Sequence, residues 1–329
     1  MNLSPRAVDP APPGAYHSGV LSEYPRRRAL LRALPAAALG LAAVPALSAC
    51  TRASERLDAE SETVPEVDLS GIDEVPEIAE LVPEEIRDRG QLVNGAALNY
   101  APGEFVGSTG EAVGYDIDIL AAIGAVLGLS TRTEAAVFAQ IIPAVGSTYD
   151  VGISSFTVNE ERLEAVTMVS YFQAGISYAV KAGNPYDIHP DDLCGKRVAL
   201  QVGTYQEELS IERSQECRDA GEGAYDLLAY TSNSDAATNV AGGKGDILMA
   251  DSPVTAYAIA RSRGTLEEIG EIEESALNGI VVAKDQPELA EAIRAAVQHL
   301  IDSGHMERIL AAWGNEAGLI PTAEVNPQP

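Results

Sequence analysis

The sequence predicts an α/β protein with mostly parallel strands, and two observations support this class. Segments patterned as strands alternate with segments whose apolar residues recur at helical spacing, which is typical of successive β–α units. The 329 residues are 46% hydrophobic and 22% charged, an ordinary composition for a globular chain that buries a core. A chain of this length is expected to form about two domains.

The helical pattern is clearest over residues 116–127, where apolar side chains recur on one face. Further helices are predicted over 204–214, 235–241, 289–303 and 306–313. Strands are predicted over 91–100, 150–155, 177–181, 197–201, 247–249 and 279–283. Because these elements alternate along the chain, the sheets should be mainly parallel.

The first 49 residues are expected to be a signal peptide that is removed from the mature protein. A cluster of arginines precedes an Ala- and Leu-rich run, which ends in Leu47-Ser48-Ala49-Cys50. This ending resembles the lipobox of bacterial lipoproteins, in which the cysteine becomes the lipidated N-terminus. Cys50 is therefore the predicted lipidation site, and its lipid would anchor the protein to the cell membrane. A transmembrane anchor is the alternative, and both Sec and twin-arginine export stay open.

The chain is strongly acidic, with a formal net charge of −27. Such a chain is repelled by nucleic acid, so we expect no nucleic-acid partner. The acidity could attract a cationic ligand, although a solvated acidic surface is the simpler interpretation. Residues 50–88 are expected to form a disordered acidic tether, and residues 319–329 a loose tail.

Two cysteines remain beyond Cys50. In an exported protein an even pair indicates a disulfide, here between Cys194 and Cys217. Two buried free thiols are the alternative. The sequence shows no metal-ligand cluster, and we expect neither a metal nor a cofactor.

Four stretches carry the functional signal: GYDIDI at 114–119, YDVGISSFTVNEER at 149–162, VGTYQE at 202–207, and the segment 279–314. In this order, over about residues 90–315, they resemble the extracellular solute-binding proteins of polar amino-acid ABC importers (family 3). The resemblance implies the two-lobe, type II periplasmic-binding-protein-like fold, with two hinge strands and a ligand cleft between the lobes.

The resemblance also sets the expected domain boundaries. Lobe 1 would comprise residues 89–178 and 278–318, and lobe 2 residues 179–277. The first hinge strand is expected to cross at 178–181 and the second to return at 277–281.

The family implies opposite charges for the two ends of an amino acid. Arg162 matches the arginine that grips the α-carboxylate with its planar fork. Asp251, at the end of a predicted strand, matches the acid that binds the α-ammonium. The alternatives are a surface ion pair of Arg162 with Glu160 or Glu161, and a helix-capping role for Asp251.

Further contacts are implied from both lobes. Ser155 and Thr157 lie two residues apart on a strand and so face one side. Thr204 and Tyr205 open a helix, and Thr204 with Glu207 is expected to form a capping box. The start of this helix presents free N–H groups that suit an anion.

The ligand side chain is expected to meet a separate group of residues. Tyr100 matches an aromatic residue that packs on the ligand, and Phe105 could replace an aromatic that is missing at Gly103. Asn99 and Glu104 are candidate specificity groups.

These features together predict a monomeric lipoprotein that captures an amino acid outside the cell and delivers it to an ABC permease. A ligand-sensing module without transport is an alternative function. An enzyme on the same fold is less favoured, because none of the four histidines lies in a motif that could activate a nucleophile.

Overall fold

The computed structural model describes residues 64–329, and the predicted signal peptide and Cys50 lie outside them. The helices of the described part are, in chain order, α1 (Pro76–Ala79), α2 (Glu84–Arg89), α3 (Tyr115–Val126), α4 (Phe138–Ala144), α5 (Glu160–Ala165), α6 (Tyr205–Asp219), α7 (Asn233–Ala241), α8 (Ser252–Arg261), α9 (Pro287–Asp302) and α10 (His305–Ala312). The strands are β1 (Gln91–Ala96), β2 (Asn99–Tyr100), β3 (Glu104–Val106), β4 (Ala112–Val113), β5 (Ser130–Ala135), β6 (Val151–Thr157), β7 (Thr167–Lys181), β8 (Arg197–Gln201), β9 (Asp226–Tyr230), β10 (Ile247–Asp251) and β11 (Leu266–Val282).

Two long strands connect two lobes. Within residues 64–329 the main sheet has the order β5-β1-β6-β11-β7-β10-β8-β9, while β2, β3 and β4 form a small antiparallel sheet. Strands β1, β5 and β6 belong to lobe 1, and β8, β9 and β10 belong to lobe 2. Strands β7 and β11 run antiparallel through the middle of the sheet and belong to both lobes. The expected two-lobe α/β fold with two hinge strands is confirmed.

Each lobe has its own hydrophobic core. Strand β6 is buried along its whole length, as expected for a central strand covered by helices on both faces. In lobe 1, α3 and α9 pack together on one side of the sheet, and Ile119, Ile123 and Ile293 are fully buried there. In lobe 2, Val198 and Ile247 belong to a second cluster. Two separate cores allow the lobes to move as units.

Strand β7 crosses from lobe 1 to lobe 2 slightly earlier than expected. Ile176 already pairs with Asp251 of lobe 2, so the crossing precedes the predicted stretch 178–181. On the return, Asn278 pairs with Thr157 of lobe 1, and the register of β11 shifts between Ile269 and Ala276. These irregularities mark where the sheet passes from one lobe to the other.

The described part of the predicted tether is ordered, which corrects one expectation. Residues 64–88 include helices α1 and α2, and Val82 and Ile86 are buried in the lobe 1 core. The backbone N–H of Val75 donates to the carbonyl of Val126 at 2.9 Å. The acidic composition masked a sparse set of apolar residues that suffices to hold this segment on the lobe.

The C-terminal tail is also packed and is not the loose segment that was expected. Ile320 and Ala323 are buried, at 1% and 3% exposure. The N–H of Ser170 donates to the carbonyl of Glu324 at 3.0 Å, and the N–H of Asn326 donates to that of Met168 at 2.7 Å. The tail therefore lies along hinge strand β7 in the manner of an extra strand.

Cys194 and Cys217 form the predicted disulfide, which closes a sequence separation of 23 residues within lobe 2. Glu222 lies beside the two sulfur atoms, but cysteines joined to each other offer no thiolate for a metal ion. In residues 64–329, no helix is both long enough and apolar enough to cross a membrane.

Candidate functional site

The predicted binding residues meet where the carboxyl ends of several strands face the gap between the lobes. Ser155 and Thr157 end β6 in lobe 1, and Thr204 and Asp251 follow β8 and end β10 in lobe 2. Ligands of open α/β sheets bind at this edge, because the connections that leave it create a crevice.

Asp251 is buried and is held from both lobes. The hydroxyl of Tyr100, from lobe 1, donates to its Oδ2 at 2.6 Å, and the side-chain amide of Gln206, from lobe 2, donates to its Oδ1 at 2.7 Å. Burial raises the pKa of Asp251, while these two hydrogen bonds and the charge of Arg162 oppose that rise. Asp251 stands at the N-cap position of α8, yet its carboxylate is directed to the gap between the lobes.

Arg162 is also buried, at 7% exposure, and it is not a surface residue paired with its neighbours on α5. Its guanidinium donates to the carbonyl of Thr157 at 2.8 Å and to that of Gly203, across the gap, at 3.3 Å. Burial lowers its pKa, and the nearby acids Glu208 and Asp251 counteract this effect. Across the gap, the guanidinium lies 3.5 Å from the carboxylate of Glu208, and it also interacts electrostatically with Asp251.

Ser155 adopts an uncommon backbone conformation, with φ at 51°. Its N–H and its hydroxyl both donate to Oδ2 of Asp116, at 2.8 and 3.0 Å, and its carbonyl accepts from the side chain of Asn278 at 2.8 Å. Non-glycine residues at positive φ persist only where surrounding contacts fix them, and they cluster at functional sites. Here Asp116 and Asn278 provide those contacts.

The start of α6 presents backbone groups to the gap. The hydroxyl of Thr204 accepts from the N–H of Glu207 at 3.4 Å, so Thr204 is the N-cap as predicted. The carboxylate of Glu207 reaches back to the N–H of Gly203, one residue before Thr204, at 2.7 Å. The capping arrangement therefore differs from the predicted box by one residue.

The structure separates Tyr205 from the group around Asp251. Tyr205 packs against the lobe 2 cluster that contains Val198 and Ile247. The next residue, Gln206, is buried and reaches Asp251 instead. The sequence does not reveal the contact of Gln206, because a position in the first turn of a helix does not show which side chain faces the gap.

Phe105 is buried between aromatic side chains of both lobes. Its ring centre lies 6.0 Å from that of Tyr257 on α8 and 6.2 Å from that of Trp313, which follows α10. It also borders a cavity of about 570 Å³ between the lobes. Asn99, at the rim of this cavity, donates to the carbonyl of Thr231 in lobe 2 at 3.1 Å.

Glu104 is the most unusual polar residue of the site. It is fully buried, and Oε1 accepts a short hydrogen bond from the hydroxyl of Ser154. Oε2 is buried without a hydrogen-bond partner among residues 64–329. Burial, followed by the negative charge of Asp116, raises the pKa of Glu104 well above its ordinary value.

Asp116 is the second buried acid of this group. It accepts a hydrogen bond from the hydroxyl of Tyr171 at 2.6 Å, in addition to those from Ser155. Burial raises its pKa to about 6, although its hydrogen bonds favour the charged form. Gly114 permits this arrangement, because a Cβ there would lie 2.0 Å from the carbonyl oxygen of Gly103.

The lobes touch at several points in this structure. Besides the bond between Tyr100 and Asp251, Asn159 of lobe 1 donates to Glu208 of lobe 2 at 2.8 Å, and Arg162 pairs with Glu208 at 3.5 Å. The structure therefore represents a closed state, in which Arg162 and Asp251 are buried.

Comparisons with known proteins agree with this arrangement. A sequence profile of the bacterial extracellular solute-binding proteins, family 3, matches residues 92–316. The arginine-binding protein ArgT of Corynebacterium glutamicum is 38% identical over 259 residues, which cover 78% of this chain and 85% of that protein.

Two solved structures share the fold over most of the chain. An ancestral arginine-binding protein bound to arginine has a TM-score of 0.63 at 30% identity, covering 69% of this chain and 99% of that chain. The ancestral amino-acid-binding protein AncCDT-1, a precursor of cyclohexadienyl dehydratase, has a TM-score of 0.63 at 26% identity, covering 70% and 98%.

Proposed function

Because the chain belongs to family 3 of the bacterial extracellular solute-binding proteins and captures an amino acid for an ABC transporter, we propose that its ligand is arginine or a closely similar cationic amino acid. The observation that carries this proposal is the buried carboxyl group of Glu104, whose Oε2 has no hydrogen-bond partner in the part of the chain that the structure describes. The similarity to an arginine-binding protein and to an arginine-bound structure supports it.

The charges of the site suit a ligand with two positive groups and one negative group. Arg162 would bind the α-carboxylate in a bidentate manner, and Asp251 would bind the α-ammonium. A buried carboxylate without a counter-ion is costly, and a guanidinium placed at Glu104 would remove that cost. The three side chains would then each meet an opposite charge.

Other predicted residues would complete the contacts. Ser155, Thr157 and Thr204 would supply hydroxyl and backbone groups around the α-carboxylate and α-ammonium. Tyr100 would orient Asp251 through the hydrogen bond already formed. Tyr205 and Phe105 would have supporting packing roles.

The proposal is tested by calorimetric titration of the purified protein with L-arginine and with L-citrulline, its uncharged isostere. In a separate thermal unfolding measurement, arginine at about 100 times its Kd should stabilise the protein by about 2.7 kcal/mol and raise Tm by about 5 to 10 °C. Citrulline should bind more weakly, because it brings no cation to Glu104. Equal affinity for both ligands would reject Glu104 as the group that selects a cation.

Two variants separate the two ends of the ligand. Glu104→Gln should weaken arginine by about 100-fold and leave citrulline little changed, because it removes one partner of a buried charge pair. Arg162→Lys should weaken both ligands, because both carry the same α-carboxylate and lysine lacks the planar fork. If arginine bound to both variants as tightly as to the unchanged protein, the assignment would be contradicted.

The members of this family are binding proteins, and we further propose that this chain has no catalytic activity, although AncCDT-1 is described as a precursor of an enzyme. Arginine recovered unchanged after incubation with the protein is the expected result.

The family works outside the cytoplasm. We propose that Cys50 carries a lipid that holds a monomeric binding protein at the membrane beside its permease.

A further inference from the structure

We propose that binding of the cationic ligand releases one proton, which the carboxyl groups of Glu104 and Asp116 share in the unliganded protein. This inference rests on the proposed function, because it requires a cation at Glu104. It adds a coupling between ligand capture and external pH.

The environment of Glu104 disfavours its negative charge. Its carboxyl group is fully buried and receives one hydrogen bond, from Ser154 to Oε1. Oε2 has no donor directed to it among residues 64–329. An ionised carboxylate with a bare oxygen in such a place is unstable, so the group remains protonated until a cation arrives.

Asp116 lies beside the segment that carries Glu104, because its backbone N–H donates to the carbonyl of Gly103 at 3.0 Å. A hydrogen bond between the two carboxyl groups forms only if one of them carries a proton. Asp116 receives donors from Tyr171 and from Ser155, whereas Glu104 receives only one. Asp116 is thus the better acceptor and Glu104 the better proton donor.

The acids that act on Glu104 are Asp116 on α3 and Asp251 on β10, and each disfavours a second negative charge there. Tyr115 on α3, Tyr100 on β2 and Tyr171 on β7 also lie near Glu104, and as neutral phenols they bring no positive charge to offset it. The cation of the site, Arg162, acts on Asp251.

When the ligand binds, the proton between Glu104 and Asp116 leaves to solvent. The guanidinium of the ligand takes its place as the positive partner of Glu104. Below the pH at which the unliganded pair loses this proton, binding must expel it, so the affinity for arginine falls as pH falls. The association constant changes by up to about tenfold per pH unit in this range and becomes constant above it.

The test is calorimetric titration of arginine from about pH 6 to about pH 9, at each pH in two buffers whose enthalpies of ionisation differ strongly, such as phosphate and Tris at about pH 7.5. The measured binding enthalpies should differ between the buffers by an amount that corresponds to up to about one proton released per arginine at the lower pH. Citrulline should release no proton, because a protonated Glu104 can donate to its ureido oxygen. The preference for arginine over citrulline should therefore rise with pH.

Tyr171→Phe provides a second measurement, because it removes a hydrogen bond that stabilises the charged form of Asp116 and keeps the ring. The pair should then hold its proton to higher pH, and the pH at which arginine affinity levels off should rise by about one unit. A purely structural role of Tyr171 would lower Tm without moving this pH profile.

The outcomes separate this inference from the proposed function. If arginine binds with the same enthalpy in both buffers at every pH, the proton release is rejected and the arginine site stands. If citrulline releases as many protons as arginine, the exchange lies at a group other than Glu104 and the inference is rejected. If arginine gives no binding heat at any pH, the proposed function fails and the inference fails with it.

Discussion

At the scale of single residues, this protein places several acids where water does not reach them easily. Asp118, in the first turn of α3, is half-buried and accepts a hydrogen bond from Nε1 of Trp313 at 2.7 Å. Burial raises its pKa to about 6, and the hydrogen bond from the indole only partly opposes this. The folded state therefore favours the neutral form of Asp118 more than the unfolded chain does.

Asp118→Asn should stabilise the protein near neutral pH. Because the pKa of Asp118 is higher in the folded state than in the unfolded state, its neutral form contributes to the free energy of unfolding. This contribution is fully present below the unfolded pKa of about 4 and is lost as pH rises through about 6. Asparagine keeps an acceptor for the indole without the charge, so the gain above that pH should be about 1 kcal/mol after allowance for solvent screening. Denaturant unfolding measured against pH checks this.

Asp88→Asn, at an exposed position on α2, is the matched control and should leave the unfolding free energy nearly unchanged. If Asp118→Asn lowers stability near pH 8, the charged hydrogen bond to Trp313 outweighs the cost of burial.

The sequence predicted some residues of the candidate site and missed others for a physical reason. Arg162 and Asp251 were predicted because the motifs around them resemble those of the family, and their roles in ligand binding stay predictions. The carboxyl pair of Glu104 and Asp116, and the contact of Gln206 with Asp251, could not be found. They depend on the approach of segments that are distant in the chain, which local patterns do not encode.

At the scale of elements, regular segments were predictable and their extensions were not. Strand β8 coincides with its predicted range, and helix α3 is displaced from its predicted range by a single residue at each end. Strands β7 and β11 are much longer than predicted, because they continue through both lobes and each half meets a different environment. Strands β5 and β9 were missed, because their alternation is weak at the two edges of the sheet.

The C-terminal tail gives a prediction at this scale. A chain that ends at Gly318 should lose about 3 kcal/mol of unfolding free energy, because it loses the burial of Ile320 and the backbone hydrogen bonds to β7. Denaturant unfolding of the truncated and full chains measures the difference. Removal of the exposed residues Gln328 and Pro329 alone is the control and should have little effect. Equal stability of the chain ending at Gly318 would show that the tail contributes nothing to the hinge strand.

At the scale of the whole molecule, two cores linked by two strands allow the lobes to close on a ligand. Contacts of Tyr100 with Asp251 and of Asn159 with Glu208 exist only when the lobes meet. The two-lobe plan was predictable from the order of its motifs, whereas the degree of closure was not, because it depends on such contacts.

The location of the whole molecule depends on the proposed lipid at Cys50. Cys50→Ser should move the protein from the membrane fraction to the soluble extracytoplasmic fraction, because it removes the proposed lipid and no helix in residues 64–329 is long and apolar enough to cross a membrane. Immunoblots of separated fractions test this, and arginine affinity of the released protein is the control for correct folding. Membrane retention of the variant would reject lipidation at Cys50.

The aromatic contact between the lobes has a practical consequence. Trp313 is the single tryptophan of the chain, and it meets Phe105, which in turn meets Tyr257 of the opposite lobe. Opening of the lobes would withdraw Tyr257 from this aromatic cluster and would admit more water near the indole. The tryptophan fluorescence of the unlabelled protein can therefore report on the opening of the lobes. Its emission should shift to longer wavelength when the gap widens.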